Sequence, residues 1–369
     1  MSMHRKIRVL VVDDSVAMRR ILSDAISSDA ELEVAGYAAN GQIAMAMFDQ
    51  VSPDIVTLDV EMPVMDGLAT LKAMRAARRL QPVIMFSTLT DRGAEATIDS
   101  LALGASDYVA KPINAGSFDA ARERIREALL PKIKALCRIR PPAGVQGPAT
   151  ARQPLLRRAN QFERIEVVVI GSSTGGPNAL ATVLPKIPSS FPVPVLIVQH
   201  MPPAFTRFLA QRLTVLCPLP VEEAAPGELA SSGSIRVAPG DHHLAVARDR
   251  GETRLQITQG PAENSCRPSA DVLFRSAAQV FSSRVLAVVL TGMGQDGLRG
   301  CEALADLGAS IMVQDEATSV VWGMPGFVAK AGLADAILPL AEIGDAIVRR
   351  VTAFRPVSIR QNSAALVAR

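Results

Sequence analysis

The stretch Val167-Val-Val-Ile-Gly-Ser-Ser-Thr-Gly-Gly176 runs from four β-branched residues directly into a turn of glycines and hydroxyl groups. A short apolar run of this kind predicts a strand buried on both faces of a parallel sheet. A helix-like segment, Asn178–Leu184, follows it. Strand, turn and helix match the G-x-S-x-G pattern, in which a sharp turn exposes a serine hydroxyl. Ser173 is therefore a candidate nucleophile, although a plain turn or a phosphate cradle would use the same residue types.

The same strand–helix alternation extends over two long regions of the 369-residue chain. Residues 7–130 and residues 165–353 each alternate apolar and amphipathic segments, which predicts two parallel, doubly wound α/β sheets. In the second region, the predicted buried strands are Val167–Ile170, Val193–Gln199, Val285–Thr291 and Ala309–Gln314. Short alternating segments at 234–239, 243–247 and 253–258 predict an antiparallel hairpin added to this second α/β core.

A proline- and glycine-rich stretch, Pro141-Pro-Ala-Gly-Val-Gln-Gly-Pro148, separates the two regions and cannot hold a helix or a strand. We therefore expect one domain over residues 5–128 and a second over residues 163–352. Residues 129–162 would form the linker between them, and residues 353–369 a loose tail.

Composition excludes several classes of protein. The net charge of +3 is too small to argue for nucleic-acid binding. No apolar run reaches the ~20 residues of a membrane helix, and the N-terminus lacks the apolar core of a signal peptide. The four scattered cysteines are typical of free thiols in a reducing compartment. We expect a cytoplasmic protein without membrane insertion.

In the first region, polar side chains follow successive strand candidates. Asp13, Asp14, Asp59, Ser87 and Lys111 each lie at or just after a strand end. Because ligands of open parallel sheets sit at the carboxyl ends of the strands, these side chains should converge on one rim. Three neighbouring carboxylates repel one another unless a cation binds, and their oxygens suit Mg²⁺. The lysine would pair with phosphoryl oxygens, so the rim has the chemistry of a phosphate-accepting site.

Four motifs of this region resemble the response-regulator receiver domain: Val11-Val-Asp-Asp-Ser15, Leu58-Asp-Val-Glu-Met-Pro-Val-Met-Asp-Gly67, Phe86-Ser-Thr88 and Ala110-Lys-Pro112. The resemblance implies a flavodoxin-like domain with a five-stranded parallel sheet. It also implies that Asp59 accepts phosphate from a histidine kinase. Asp14 and Asp59 would bind Mg²⁺ directly, helped by the Glu61 carbonyl and less directly by Asp13. Ser87 and Tyr108 would be the switch pair that reports phosphorylation.

In the second region, a base and an acid follow the other strands. His200 ends Val193–Gln199, and Asp296 lies in the glycine-lined loop after Val285–Thr291. Both should therefore share the rim of Ser173, where an imidazole can take the serine proton and a carboxylate can orient the imidazole. The chain order Ser, His, Asp differs from the Ser-Asp-His order of α/β-hydrolases, so the serine turn does not assign that fold.

Two other functions remain open from the residues alone. Gly292-Met-Gly-Gln-Asp-Gly297 also matches G-x-G-x-x-G, and Asp315 follows it by about 20 residues, as in dinucleotide-binding folds. Against this interpretation, Asp296 would bring a carboxylate close to the pyrophosphate. The second alternative is a signalling module that keeps the fold and binds partners without catalysis.

A second set of motifs resembles the catalytic domain of the CheB-type chemotaxis methylesterases. The set is Ser172-Ser-Thr-Gly-Gly-Pro177, Gln199-His-Met-Pro-Pro203, Ala238-Pro-Gly-Asp241, Arg267-Pro-Ser269 and Leu290-Thr-Gly-Met-Gly-Gln-Asp-Gly297. The resemblance implies that Ser173 attacks γ-methyl esters of methylated glutamates on cytoplasmic chemoreceptor helices. His200 would act as the base and Asp296 would orient it, with no cofactor. Glutamine side chains would be deamidated by the same chemistry.

The resemblance also implies which groups bind the oxyanion, and the chain departs from the family pattern at two positions. Backbone N–H groups near Thr174 and Met293 would stabilise the oxyanion. Ser172 stands where alanine is commoner, which makes it a second candidate nucleophile, and Gln295 replaces the usual asparagine. The edge of the second sheet that carries Ser173, His200 and Asp296 is called the serine rim below. A receiver that covers this rim would hold the activity low, and phosphorylation of Asp59 would weaken that docking.

Overall fold

The computed structural model describes residues 5–112, 116–138 and 163–353. In the N-terminal part of these residues, five parallel strands form one sheet in the order β2-β1-β3-β4-β5. The strands are β1 (Ile7–Val12), β2 (Leu32–Ala38), β3 (Ile55–Asp59), β4 (Val83–Ser87) and β5 (Asp107–Ala110). The predicted flavodoxin-like sheet is therefore confirmed.

Helices cover both faces of this sheet. They are α1 (Val16–Ser27), α2 (Gly41–Val51), α3 (Gly67–Ala76), α4 (Asp91–Ala102) and α5 (Phe118–Arg138). The first four begin directly after Ser15, Asn40, Asp66 and Thr90, each of which accepts a hydrogen bond from a backbone N–H of the first turn. Such caps satisfy donors that the helix itself leaves unpaired, so each of these helices has a locally determined starting point.

Helix α5 corrects the expected domain boundary. It continues through Pro131 to Arg138, so residues 129–138, which the sequence assigned to the linker, belong to the N-terminal domain. A proline inside a helix removes one hydrogen bond, but Leu129, Ile133 and Leu136 continue the apolar face and are buried in the core. Their burial outweighs the lost bond. Linker residues 139–162 and the tail beyond residue 353 lie outside the described residues.

In the C-terminal part of the described chain, seven parallel strands form a sheet in the order β14-β13-β12-β6-β7-β9-β8. They are β6 (Val167–Ser172), β7 (Val195–Gln199), β8 (Val221–Glu223), β9 (Ile235–Val237), β12 (Val285–Val289), β13 (Ser310–Gln314) and β14 (Ala336–Leu338). The antiparallel hairpin consists of β10 (His243–Asp249) and β11 (Glu252–Thr258), as predicted.

The segment 234–239 was wrongly grouped with that hairpin. Its central residues form β9, which pairs in parallel with β7 through Val195 and Ile235. Ile235 and Val237 are fully buried in the core beside β7. The alternating pattern identified a half-buried strand correctly, but it carries no information on which sheet the strand joins.

Six α-helices flank the second sheet in the described residues: α6 (Gly176–Val183), α7 (Phe205–Leu216), α8 (Ala270–Phe281), α9 (Leu298–Asp306), α10 (Met324–Lys330) and α11 (Leu340–Thr352). Alternate residues of β6 point to opposite faces, so Val168 and Val169 belong to different core clusters. None of the helices in the described ranges is long and apolar enough to cross a bilayer.

The two domains pack against each other through α4, which contacts α6 and α7. At the same interface the ring of Tyr108, on β5, stacks on Phe205 at the start of α7 with centroids 4.8 Å apart. The β5 edge of the first sheet, together with α4, therefore faces α6 and α7 of the second domain.

Candidate functional sites

The first site is an acidic pocket at the carboxyl ends of β1 and β3. Asp13 and Asp59 are buried, whereas Asp14 is exposed. One carboxylate oxygen from each of the three lies within 4.8 Å of the others. Hard oxygen donors converging in this way fit a divalent cation such as Mg²⁺. The predicted convergence of these aspartates is present in the fold.

Lys111 balances the charge of this pocket. Its Nζ lies 2.7 Å from Asp59 Oδ2 and 3.1 Å from Asp13 Oδ2. The pKa of Asp59 is raised to about 6. Burial is the main cause and the charge of Asp13 adds to it, while the hydrogen bond from Lys111 acts in the opposite direction. The backbone N–H of Glu61 also donates to Asp59 Oδ1, over 3.3 Å. Asp59 is thus a buried carboxylate held between an ammonium group and a backbone amide.

The two expected switch residues occupy different surroundings. Ser87 is buried at the end of β4, and its carbonyl oxygen accepts a hydrogen bond from the Lys111 backbone N–H, over 2.7 Å. Tyr108 is buried in the domain interface, and burial raises the pKa of its phenol well above the usual value. Ser87 therefore lies at the acidic pocket, while Tyr108 contacts the second domain.

The second site begins with the turn that carries Ser173. Gly175 has φ +78°, and a Cβ there would approach the Val320 side chain to 2.6 Å. At Gly176, a Cβ would clash with Gln199 Oε1. Glycines are therefore required for the chain to turn tightly from β6 into α6. The turn leaves Ser173 partly exposed at the rim.

His200 lies at the end of the neighbouring strand. Ser172 pairs with Gln199 between β6 and β7, and the His200 backbone N–H donates to the Ser172 carbonyl over 3.1 Å. Ser173 and His200 thus follow paired residues on adjacent strands. His200 Nε2 is 2.7 Å from Asp296 Oδ2. The imidazole and the carboxylate that the sequence pairs are in direct contact.

Asp296 is almost completely buried, with 1% of its surface exposed. Among the described residues, its oxygens face His200, the Ser269 hydroxyl, the Asn264 amide and the backbone N–H groups of Ala270 and Asp271. Burial opposes ionisation, but the hydrogen bond and charge of His200, with the Ser269 and Ala270 donors, hold the pKa of Asp296 well below its usual range. The side chain is an ionised acceptor that fixes the ring.

Sequence reasoning missed Cys266, which faces Nδ1 of the His200 ring, the nitrogen that does not contact Asp296. Its Sγ lies 3.5 Å from His200 Nδ1. Within the described chain, no hydrogen bond joins the Ser173 hydroxyl to His200 in this state. Burial lowers the pKa of His200, but the contacts with Asp296 and Cys266 together raise it to about 9. The available signal was the position of Cys266 directly before the Arg267-Pro-Ser269 motif.

The remaining predicted residues divide between the core, the interface and the surface. Ser172 is fully buried, and its hydroxyl donates a hydrogen bond to Gln199 Oε1 over 2.7 Å. The hydroxyl therefore has a partner inside the protein and does not face the solvent. Met293 is partly buried in the loop beside Ser173, where a Cβ on the preceding glycine, Gly292, would come within 2.9 Å of the serine Cβ. Gln295 is exposed, so its longer amide extends into solvent.

Thr174 connects the two domains. Its hydroxyl donates to Asp107 Oδ2 on β5 over 2.7 Å, in a buried contact between residues 67 positions apart. The same carboxylate oxygen is 2.7 Å from Lys132 Nζ on α5. Sequence reasoning gave no sign of Asp107 or Lys132, because their importance depends on how the domains dock.

Comparison with known proteins agrees with this arrangement of a receiver-type pocket joined to a serine rim. The family model for the response regulator receiver domain matches residues 9–122, and the model for the CheB methylesterase domain matches residues 168–347. The chain thus combines a receiver with a methylesterase domain.

Relatives extend over nearly the whole chain. A protein-glutamate methylesterase/protein-glutamine glutaminase of Trichodesmium erythraeum is 50% identical, with 94% of this chain and 99% of the relative covered. One from a Nocardioides strain is 51% identical, covering 95% and 97%. The crystal structure of the Thermotoga maritima CheB methylesterase catalytic domain matches with a TM-score of 0.50 and 40% identity, covering 51% of this chain and 99% of that one. The chain belongs to the protein-glutamate methylesterase/protein-glutamine glutaminase family.

Proposed function

We propose that the chain is a phosphorylation-controlled esterase that hydrolyses glutamyl γ-methyl esters on cytoplasmic chemoreceptor helices and deamidates receptor glutamines. Membership of the family supports the class of reaction. The observation that carries the mechanism is the 2.7 Å contact between His200 Nε2 and Asp296 Oδ2, next to the turn of Ser173. A base fixed by a buried carboxylate beside a turn-borne hydroxyl is the arrangement of serine hydrolases.

The contact with Asp296 supports one assignment of the ring nitrogens in the neutral imidazole. Because Asp296 accepts from Nε2–H, the free lone pair of His200 is on Nδ1. Nδ1 takes the Ser173 proton as Oγ attacks the ester carbonyl, and His200 later returns the proton to the departing methanol. Water then attacks the acyl-enzyme while His200 takes one of its protons as base. As the C–Oγ bond breaks, His200 gives that proton to Ser173 Oγ, which releases glutamate and restores both side chains. With glutamine, the leaving group is ammonia.

Two further groups complete this step. The N–H groups of Thr174 and Met293 are our candidates for the oxyanion donors, which typically lower the barrier by several kcal/mol. For Nδ1 to reach Ser173, the contact between His200 and Cys266 must open. We propose that the imidazole rotates or shifts while it keeps its contact with Asp296.

We propose that the acidic pocket binds Mg²⁺ through Asp14, Asp59 and the Glu61 carbonyl, with Asp13 nearby. A bound Mg²⁺ supplies positive charge that neutralises phosphoryl oxygens. Asp59 accepts the phosphoryl group from a chemotaxis-type histidine kinase, and Lys111 holds one of its oxygens. The position of Lys111 between two carboxylates supports this, because a lysine there is ready to exchange a carboxylate partner for a phosphate.

Regulation would follow from the docked interface. Stacking of Tyr108 on Phe205, the bond from Thr174 to Asp107 and the ion pair between Arg207 and Asp91 hold the receiver against the serine rim. A phosphoryl group on Asp59 would draw Lys111 and Ser87 towards it and shift the ends of β4 and β5. That shift would weaken the docking and open the rim to a receptor helix.

The decisive experiment is methanol release from methylated receptor by the full chain, with and without a small phosphodonor. We expect release to increase with the phosphodonor and to disappear in Ser173→Ala. A Ser173→Ala variant that keeps its activity would refute the mechanism. Binding of NAD or ATP by the C-terminal domain would instead favour the dinucleotide interpretation, although Asp315 is already occupied by contacts with Thr318.

A further inference from the structure

Two buried carboxylates lie side by side behind the candidate base. Asp296 and Asp271 each have 1% of their surface exposed, and the Asp271 backbone N–H donates to Asp296 Oδ1 over 3.2 Å. Burial raises the pKa of Asp271, and the neighbouring charge of Asp296 adds to the increase. The charge of the nearby Arg275 acts in the opposite direction, but the hydrogen bonds of its Nη2 go to the two carboxylate oxygens of Glu263, over 2.6 and 2.8 Å. Such a pair of carboxylates is unfavourable unless hydrogen bonds compensate for the repulsion.

Asn264 lies between the two carboxylates. Its Nδ2 is 2.9 Å from Asp271 Oδ2 and 3.1 Å from Asp296 Oδ1. An amide nitrogen carries two protons, so it donates one to each acid. Both carboxylates are acceptors, so the Asn264 side chain forms the two hydrogen bonds only with its nitrogen, not its oxygen, turned towards them. Asn264 is the neutral bridge across an acidic pair.

The backbone places this amide. Asn264 has φ +51°, a left-handed conformation that asparagine tolerates better than most residues. It lies in a tight loop closed by hydrogen bonds in both directions between Glu263 and Cys266. Two residues further on, the same loop brings Cys266 to the other nitrogen of His200. One loop therefore contacts both the base and its carboxylate.

We propose that Asn264 is a positioning residue for the proposed hydrolysis, which holds Asp296 against His200 by separating it from Asp271. This inference rests on the proposed function. When the amide is lost, Asp296 keeps its bonds to Ser269, Ala270 and the Asp271 backbone N–H. It then faces an Asp271 carboxylate that has lost one of its donors and, among the described residues, keeps the Gly300 N–H, over 2.7 Å, and the more distant charge of Arg275. The Asp296 carboxylate then turns or protonates, and the imidazole loses its fixed orientation.

The test uses the full chain with three variants. Asn264→Gly removes both donors and keeps the left-handed backbone, and Asn264→Asp substitutes an acceptor of the same size. Ser265→Asp adds the same charge at the next residue, which is exposed and also left-handed. Asn264 itself is exposed, so none of these changes places a new side chain in the apolar core.

We expect Asn264→Gly to lower kcat about 10- to 100-fold with little change in KM, the loss expected for a hydrogen bond to a charged group. The rate of Asn264→Asp relative to the wild type should fall further as pH rises, because an ionised carboxylate at this position cannot donate a hydrogen bond. Ser265→Asp should give a small, pH-independent change. Asn264→Gly within two-fold of the wild type, or equal pH-independent losses in both aspartate variants, would overturn the proposal.

A second measurement does not need catalysis. In the described residues, the ionisable groups facing the His200 ring are Asp296 and Cys266. NMR titration of the His200 imidazole should give a lower pKa in Asn264→Gly than in the wild type, because Asp296 no longer holds the cation. An unchanged pKa would count against the positioning role. Failure of the wild type to hydrolyse any methyl ester would refute the proposed function while leaving this titration informative.

Discussion

The hydroxyl of Thr174 donates a hydrogen bond to Asp107 over 2.7 Å and so ties the residue after the candidate nucleophile to a strand of the other domain. The contact is buried, and Lys132 compensates the carboxylate charge at the same oxygen, Asp107 Oδ2. Docking therefore acts directly on the turn that carries Ser173. It fixes the side chain of Thr174, whose backbone N–H is a candidate oxyanion donor.

Thr174→Val keeps the shape of this side chain and removes its hydroxyl. A buried neutral donor to a carboxylate contributes about 1.5–3 kcal/mol, so we expect the unphosphorylated activity to increase several-fold as docking weakens. The ratio of phosphorylated to unphosphorylated activity, measured by methanol release, should fall. Thr182→Val, which removes an exposed hydroxyl bonded within α6, is the matched control. Equal losses in both states would contradict the docking role of Thr174.

Cys266→Ala should lower the pKa of His200 from about 9, because the thiol contact is one of the causes that raise it. The base must be neutral to act, so activity rises with pH through this pKa. Removing Cys266 should therefore move the acid limb of the kcat/KM profile to lower pH. Cys217→Ala, at the end of α7, should leave the profile in place. A profile that does not move would show that the thiol does not affect the base.

Asp296→Asn retains the size of the side chain but replaces one oxygen with an amide. It should reduce kcat on the order of 10⁴-fold, by analogy with serine hydrolases in which the base takes the wrong tautomer. KM should change little, because Asp296 is buried and does not face the substrate. Steady-state kinetics on a small methyl ester would give both values. Asp315→Asn is the control, and a large loss there would support the dinucleotide interpretation.

Asp59→Asn should stabilise the unliganded chain above pH 6. The folded pKa of Asp59, about 6, is above the usual value of 3.8. The folded state therefore binds its proton more tightly, and stability is lost as pH rises from about 4 through 6. Because this pKa already includes the effect of Lys111, the gain in free energy of unfolding at pH 8, measured with denaturant, should be about 2–3 kcal/mol.

The same variant should also bind Mg²⁺ more weakly, because a hard cation prefers an ionised carboxylate. Calorimetric titration with Mg²⁺ alone would measure this. Asp24→Asn, an acidic side chain on α1, controls for net charge. Unchanged Mg²⁺ affinity in Asp59→Asn would exclude Asp59 from the metal site.

Much of both sites was predictable because parallel strands place their carboxyl ends on one rim. That rule brought Asp13 and Asp59 together in the first sheet, and Ser173 and His200 to neighbouring strand ends in the second. The contact of Cys266 with His200 was not predictable, since it depends on an irregular loop. Nor was the Thr174–Asp107 bond, because sequence periodicity describes each domain and carries no information on how the two dock.

The extension of α5 through Pro131 has a practical consequence for dissecting the molecule. A receiver fragment cut at residue 128 would remove Lys132, which neutralises Asp107, and would strip the sheet of Leu129 and Ile133. Such a fragment would leave Asp107 without its ammonium partner and part of the sheet without its apolar cover, so we expect it to be less stable than one that ends at Arg138. Truncations meant to isolate the switch should keep every residue through Arg138.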